Sequence, residues 1–155
     1  MNDRFHYETR DAIHTVSVPC DLTISDCEQQ ASRLRSWALI RGEPVTGLPY
    51  LRLFGTMRGE VHLPTAGENT PHPEVGVQAA DSPAGPVAVV NEVRFAQLRE
   101  TVDEIEGSIA TGPGSAGAAE FHPVGRDAWG TGTLTWPVQD VPDAQRPPAM
   151  SSAAS

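Results

Sequence analysis

Glu120 sits in Ala118-Ala119-Glu120-Phe121-His122, a short run of extended character with apolar residues on both sides. Trp129 follows, then Trp136 inside a second extended run from Thr131 to Val138. A carboxylate among aromatic rings can anchor a cationic or polar aromatic ligand. Ring faces attract cations, and a carboxylate screened from water attracts them further. On the solvent face of an ordinary strand the same residue would merely be solvated. His122 alternates with Glu120, so a regular strand puts both on one face, where a surface pair is the simplest account.

Other chemistries find less support. No Ser-His-Asp or Cys-His constellation is apparent. Gly112-Pro113-Gly114 lacks the Lys-Ser/Thr that would complete a phosphate loop. His6, His14, His62, His72 and His122 form no ligand-spaced cluster with Cys20 and Cys27, so neither metal nor cofactor is expected. One cysteine pair is no disulfide framework, and Cys27 reads as a small buried hydrophobe on a helix face.

The 155 residues fit one domain, and 14 Gly plus 14 Pro point to loops or tails. A net charge of −9 repels phosphate backbones and argues against direct nucleic-acid binding. No apolar run reaches membrane-spanning length and no signal pattern opens the chain, so a soluble, cytoplasmic protein is expected.

Ala12 to Val18 alternates and is β-branched, which predicts a strand. Ser25 and Glu28 have capping-box spacing and open a helix with Cys27, Ala31, Leu34 and Ala38 on one stripe, Trp37 beside it and Gly42 as its stop. Val45 to Phe54 reads as a strand, with Pro49 marking an edge or a bend, Leu51 and Leu53 on one face and Tyr50, Arg52 and Phe54 on the other. Glu60 to Leu63 and Glu74 to Ala79 are shorter extended stretches. Pro64 to Pro73 and Asp81 to Pro86 read as loops. After a strand at Val87–Val90, Phe95, Leu98, Val102, Ile105 and Ile109 define an amphipathic helix over 94–110. The Glu120 and Trp136 strands close the domain. Residues 1–11 are expected to be a flexible N-terminus, 12–139 the domain, and 140–155 a disordered Pro-, Ala- and Ser-rich tail. The order predicts an α+β fold: duplicated β-α-β-β units forming one antiparallel-rich sheet with two helices on one face.

Three stretches carry a family resemblance: Gly47-Leu-Pro-Tyr-Leu-Arg-Leu-Phe54, Glu74-Val-Gly-Val77, and Ala119-Glu-Phe121 followed by Thr133-Leu-Thr-Trp-Pro-Val138. With the element order, they resemble the gyrase-inhibitor-like (GyrI-like) small-molecule-binding domain, the effector-binding module of AraC- and MerR-type multidrug-sensing transcription regulators. The resemblance spans residues 12 to 139. It implies that Glu120 occupies the position of the family's ligand-facing acid, at the bottom of an aromatic-lined pocket. It departs at Asn91-Glu-Val-Arg-Phe95, where Phe95 takes the place of a family Tyr and loses a hydroxyl, which weakens chemistry more than binding. No helix-turn-helix segment is apparent, so a stand-alone effector-binding or drug-sequestering protein is expected.

The resulting expectation is a groove between the two helices and the sheet that binds lipophilic, aromatic small molecules, cationic ones included. Glu120 would supply the charge, Trp37, Tyr50, Phe54 and Trp129 the stacking surface, and Phe95 the floor. Binding is favoured over catalysis. One alternative is hydrolysis of reactive natural products with Glu120 as general base. Another is a protein-interaction module using the acidic face of Glu100, Asp103, Glu104 and Glu106.

Overall fold

The apolar period after Arg94 folds as one 3-10 turn, Phe95–Gln97, running into helix α2, Leu98–Thr111. This comes from a computed structural model that describes residues 5–54, 58–72, 75–124 and 129–141. The first helix, α1, spans Ile24–Arg41, and Gly42 closes it in the left-handed conformation at φ 66°. Its cap is Thr23 rather than Ser25. Thr23 Oγ1 accepts the Asp26 N–H at 3.1 Å, while the Asp26 carboxylate accepts the Asp21 N–H at 2.7 Å. The cap therefore starts two residues earlier than expected, and the carboxylate reaches back to the last residue of the preceding strand instead of to the cap's own N–H, which bonds the Asp21 carbonyl.

The strands are β1 (His6–Arg10), β2 (Ile13–Asp21), β3 (Tyr50–Phe54), β4 (Arg58–Pro64), β5 (Gln78–Ser82), β6 (Gly85–Arg94), β7 (Glu120–Pro123) and β8 (Thr131–Pro137). Among the described residues all join one sheet in the order β1-β6-β8-β7-β3-β4-β2-β5, and every neighbouring pair is antiparallel. The protein is thus a mixed α+β fold of one antiparallel sheet and two helices.

Several expected boundaries move. His6–Arg10 is an edge strand on β6, not part of a flexible terminus. Val45 makes only a single bridge to Thr65, and β3 begins after Pro49, which has no N–H to give a ladder. The strand expected from Glu74 starts at Gln78 and runs through Asp81 and Ser82, into the expected loop. Glu74 and residues 142–155 of the expected tail lie outside the described residues, whereas Val141 is buried.

Residues alternating along the strands divide cleanly. Val16, Val18, Leu51, Leu53, Val61, Leu63, Val90, Phe121 and Leu134 join one apolar cluster with Cys27, Ala31, Leu34, Trp37 and Ala38 of α1 and Leu98, Ile105 and Ile109 of α2. Cys20 and Cys27 are free thiols in this layer. A hydrogen bond with Cys20, then burial, pushes the Cys27 thiol up, so it stays protonated and apolar in character.

The other face is not flat. β1 lies at one edge and β2 one strand in from the opposite edge, yet only Asp11 and Ala12 join them. Pro83 and Ala84 alone likewise join edge strand β5 to β6. Such a linker spans at most about 11 Å, whereas six strand spacings in a flat sheet cover roughly 29 Å. The sheet must therefore curl until its edges approach, which makes the helix-free face concave.

Glu43 ties down the loop after β4. It is 4% exposed, and its carboxylate accepts N–H groups of Gly67 (2.7 Å), Glu68 (3.2 Å) and Asn69 (2.6 Å), plus the Asn69 amide at 3.0 Å. Burial alone would push this carboxyl up. The donors of Asn69, Gly67 and Glu68 overcome that and hold it below the usual glutamate value. Glu43→Gln should lower stability by about 1–2 kcal/mol in urea unfolding, because loop amides lose their charged acceptor. An unchanged midpoint would show that the loop is held by other contacts.

Candidate functional site

The concave face carries a polar network centred on Glu120, which is 1% exposed. Arg10 donates from Nη1 to Oε1 at 2.6 Å and from Nη2 to Oε2 at 3.4 Å. Arg52 Nη2 donates to Oε2 at 3.2 Å and Ser82 Oγ to the same oxygen at 2.9 Å. His122 Nε2 lies 3.2 Å from Oε1. Arg52 also donates to Ser82 Oγ at 2.6 Å. The single Ser82 proton goes to Glu120, so the Tyr50 hydroxyl must donate to Ser82, giving a directed chain Tyr50 to Ser82 to Glu120.

The curl of the sheet assembles this network. Arg10 comes from one sheet edge and Ser82 from the other, and both meet over β7 in the middle. Tyr50 stacks between two imidazoles, His62 at 5.3 Å and His122 at 4.4 Å between ring centroids. His62 in turn lies 2.8 Å from Thr15 Oγ1 and 3.0 Å from Glu60 Oε1.

Electrostatics follow from this packing. Burial alone would push the Glu120 carboxyl up, but hydrogen bonds from His122 and Arg10 and the Arg10 charge hold it far below the usual glutamate value. Burial, and then the Glu120 charge, push the Tyr50 phenol up, which keeps it a donor. Burial also pushes His62 down.

Beside the network lies a groove of about 330 Å³, lined by Glu8, Arg10, Ile13, Val87, Val89, Asn91, His122, Thr133 and Thr135. Val87, Val89 and Ile13 supply apolar walls. Thr135 Oγ1 is buried there without a hydrogen-bond partner among the described residues.

The six residues expected to form one ligand site do not converge. Glu120 and Tyr50 are together on the concave face. Trp37 and Trp129 are 8% and 1% exposed within the apolar cluster, on the helix side. Phe95 packs edge-on against Phe121 at 5.8 Å and borders a separate depression with Leu22 and Leu98. Phe54 is 47% exposed at the end of β3. On the helix side a depression of about 230 Å³ does lie between α2 and the sheet, lined by Leu53, Val102, Asp103, Glu106, Ala119 and Trp136, but Glu120, Tyr50, Trp37, Phe54, Phe95 and Trp129 do not line it. Glu120 does not present an unpaired charge, since Arg10 and Arg52 already compensate it. Nor is His122 a surface partner; it is 30% exposed and faces the groove. Glu100, Asp103, Glu104 and Glu106 are exposed along α2.

Arg10, Ser82 and His62 were missed. The alternation in His6-Tyr7-Glu8-Thr9-Arg10, with Tyr7 turned to the core, was the available signal for the strand that carries Arg10. Among the described residues no helix is long and apolar enough to cross a membrane, and no group of His, Cys, Asp and Glu could hold a metal ion. No protein-family model and no curated protein matches this chain.

Proposed function

We propose that this chain is a small-molecule-binding protein of the GyrI-like kind, whose site is the concave groove beside Glu120. The carrying observation is an open cavity with apolar walls into which the buried charged network presents Arg10 and His122. That composition suits a lipophilic body with one polar tip. Because Glu120 is already paired with two guanidinium groups, a positive charge on the ligand is not required.

Matching pairings support reading the fold as a duplicated β-α-β-β unit. Leu51 faces Val61 and Leu53 faces Gly59, just as Phe121 faces Leu134 and Pro123 faces Gly132. In this register Tyr50 corresponds to Glu120 and His62 to Thr135. The bulky ring pair fills the first half, and the smaller Thr135 leaves space in the second.

The test is titration with the neutral lipophilic dye Nile red, followed by fluorescence. Thr135→His restores the bulk of the first half and should weaken binding at least about tenfold, or 1.4 kcal/mol. Trp37→Phe and Phe54→Ala, which lie away from the groove, should leave it unchanged. Equal affinity in Thr135→His and the parent would refute the groove as the site.

A further inference from the structure

His122 is held as carboxylate-oriented imidazoles are held when they move protons. Its Nε2 lies 3.2 Å from the buried Glu120 carboxylate, and its ring is stacked on Tyr50 at 4.4 Å. Among the described residues, the ring's hydrogen bonding uses Nε2 alone. With the proton on Nε2 facing Glu120, Nδ1 is left as the basic nitrogen. His122 is 30% exposed and lines the groove, whereas Glu120 is 1% exposed and cannot meet a substrate. Arg10, 14% exposed, lines the same groove.

We propose that His122, oriented by Glu120, acts as a general base on water and makes the groove hydrolytic toward small neutral esters. This rests on the groove being the ligand site. In the reaction Nδ1 removes a proton from water as the water oxygen bonds to the ester carbonyl carbon. The carbonyl oxygen takes the negative charge, and the Arg10 guanidinium stabilises it. The carbon–oxygen bond to the leaving group then breaks, and the departing alkoxide takes the proton back from the imidazolium. One ester and one water give one carboxylic acid and one alcohol. The buried carboxylate stabilises the transient imidazolium without becoming protonated, and the apolar walls of Val87 and Val89 receive the acyl chain.

The experiment uses the full chain with p-nitrophenyl butyrate, with displacement of Nile red by the ester measured in parallel. Saturable release of p-nitrophenolate above that from an equal concentration of free imidazole is expected. His122→Asn should reduce it on the order of a hundredfold or more, with an unchanged circular dichroism spectrum. If the ester displaces the dye but is not hydrolysed faster than by imidazole, or if His122→Asn keeps the parent rate, the hydrolytic role is overturned and the groove stands. If the ester neither displaces the dye nor is hydrolysed, both fail. Should His122→Asn not fold, Thr135→His decides: lost turnover supports the proposal, and retained turnover overturns it.

Discussion

Glu120→Gln should cost about 3 kcal/mol of stability at neutral pH, near the lower end for breaking a buried ion pair. The carboxylate is 1% exposed and compensates two guanidinium groups that are 14% and 15% exposed. The amide retains size and one acceptor but not the charge, so Arg10 and Arg52 face each other uncompensated. Their partial contact with water keeps the cost below the upper end of that range. The effect should also depend on pH. The folded-state pKa of Glu120 lies below its unfolded value, so its stabilisation is fully present above the ordinary glutamate value of about 4.3. It is lost progressively as pH falls below that value toward the lowered folded pKa. Urea unfolding of parent and variant at pH 7 and pH 3 should therefore show a gap that narrows in acid. A gap that is absent at pH 7, or equal at both, would show that the network does not stabilise the fold.

Gly132→Ala should be nearly as damaging, at about 3 kcal/mol, the upper end for overpacking. A Cβ there would stand 2.3 Å from the His122 carbonyl oxygen and 2.9 Å from Phe121 Cζ. The first obstacle is backbone of the paired strand, so relief requires β7 and β8 to part. That displaces His122 and Glu120 together. Lower thermal stability should therefore accompany weakened Nile red binding. Gly130→Ala meets nothing within 4 Å and is the matched control. If both variants melt with the parent, the close approach of the strands is not a constraint.

Local rules made much of the framework legible. The three-and-four spacing from Phe95 to Ile109 marked α2 because a helix must bury one stripe. Gly42 marked the end of α1 because the left-handed position there suits a residue without Cβ. Alternation of Leu51 and Leu53 with Tyr50 and Arg52 marked the covered face of β3. The cap at Thr23 and the start of β3 were displaced by a few residues, since turns are fixed by their neighbours as much as by their own residues. β1 escaped because a five-residue edge strand has little pattern of its own and acquires its structure from β6, about eighty residues onward.

Which residues are helical, which faces are apolar, and that Glu120 and His122 share a face all follow from periods of 3.6 and 2 along the chain. What Glu120 meets is set by long-range pairing. Its partners Arg10, Arg52 and Ser82 lie 110, 68 and 38 residues away. Arg52 arrives by direct pairing of β3 with β7, whereas Arg10 and Ser82 arrive because two-residue linkers force the sheet to curl, an outcome of strand order that no local pattern encodes. That curl turned an apparent ligand-facing acid into the paired centre of a network on the concave face.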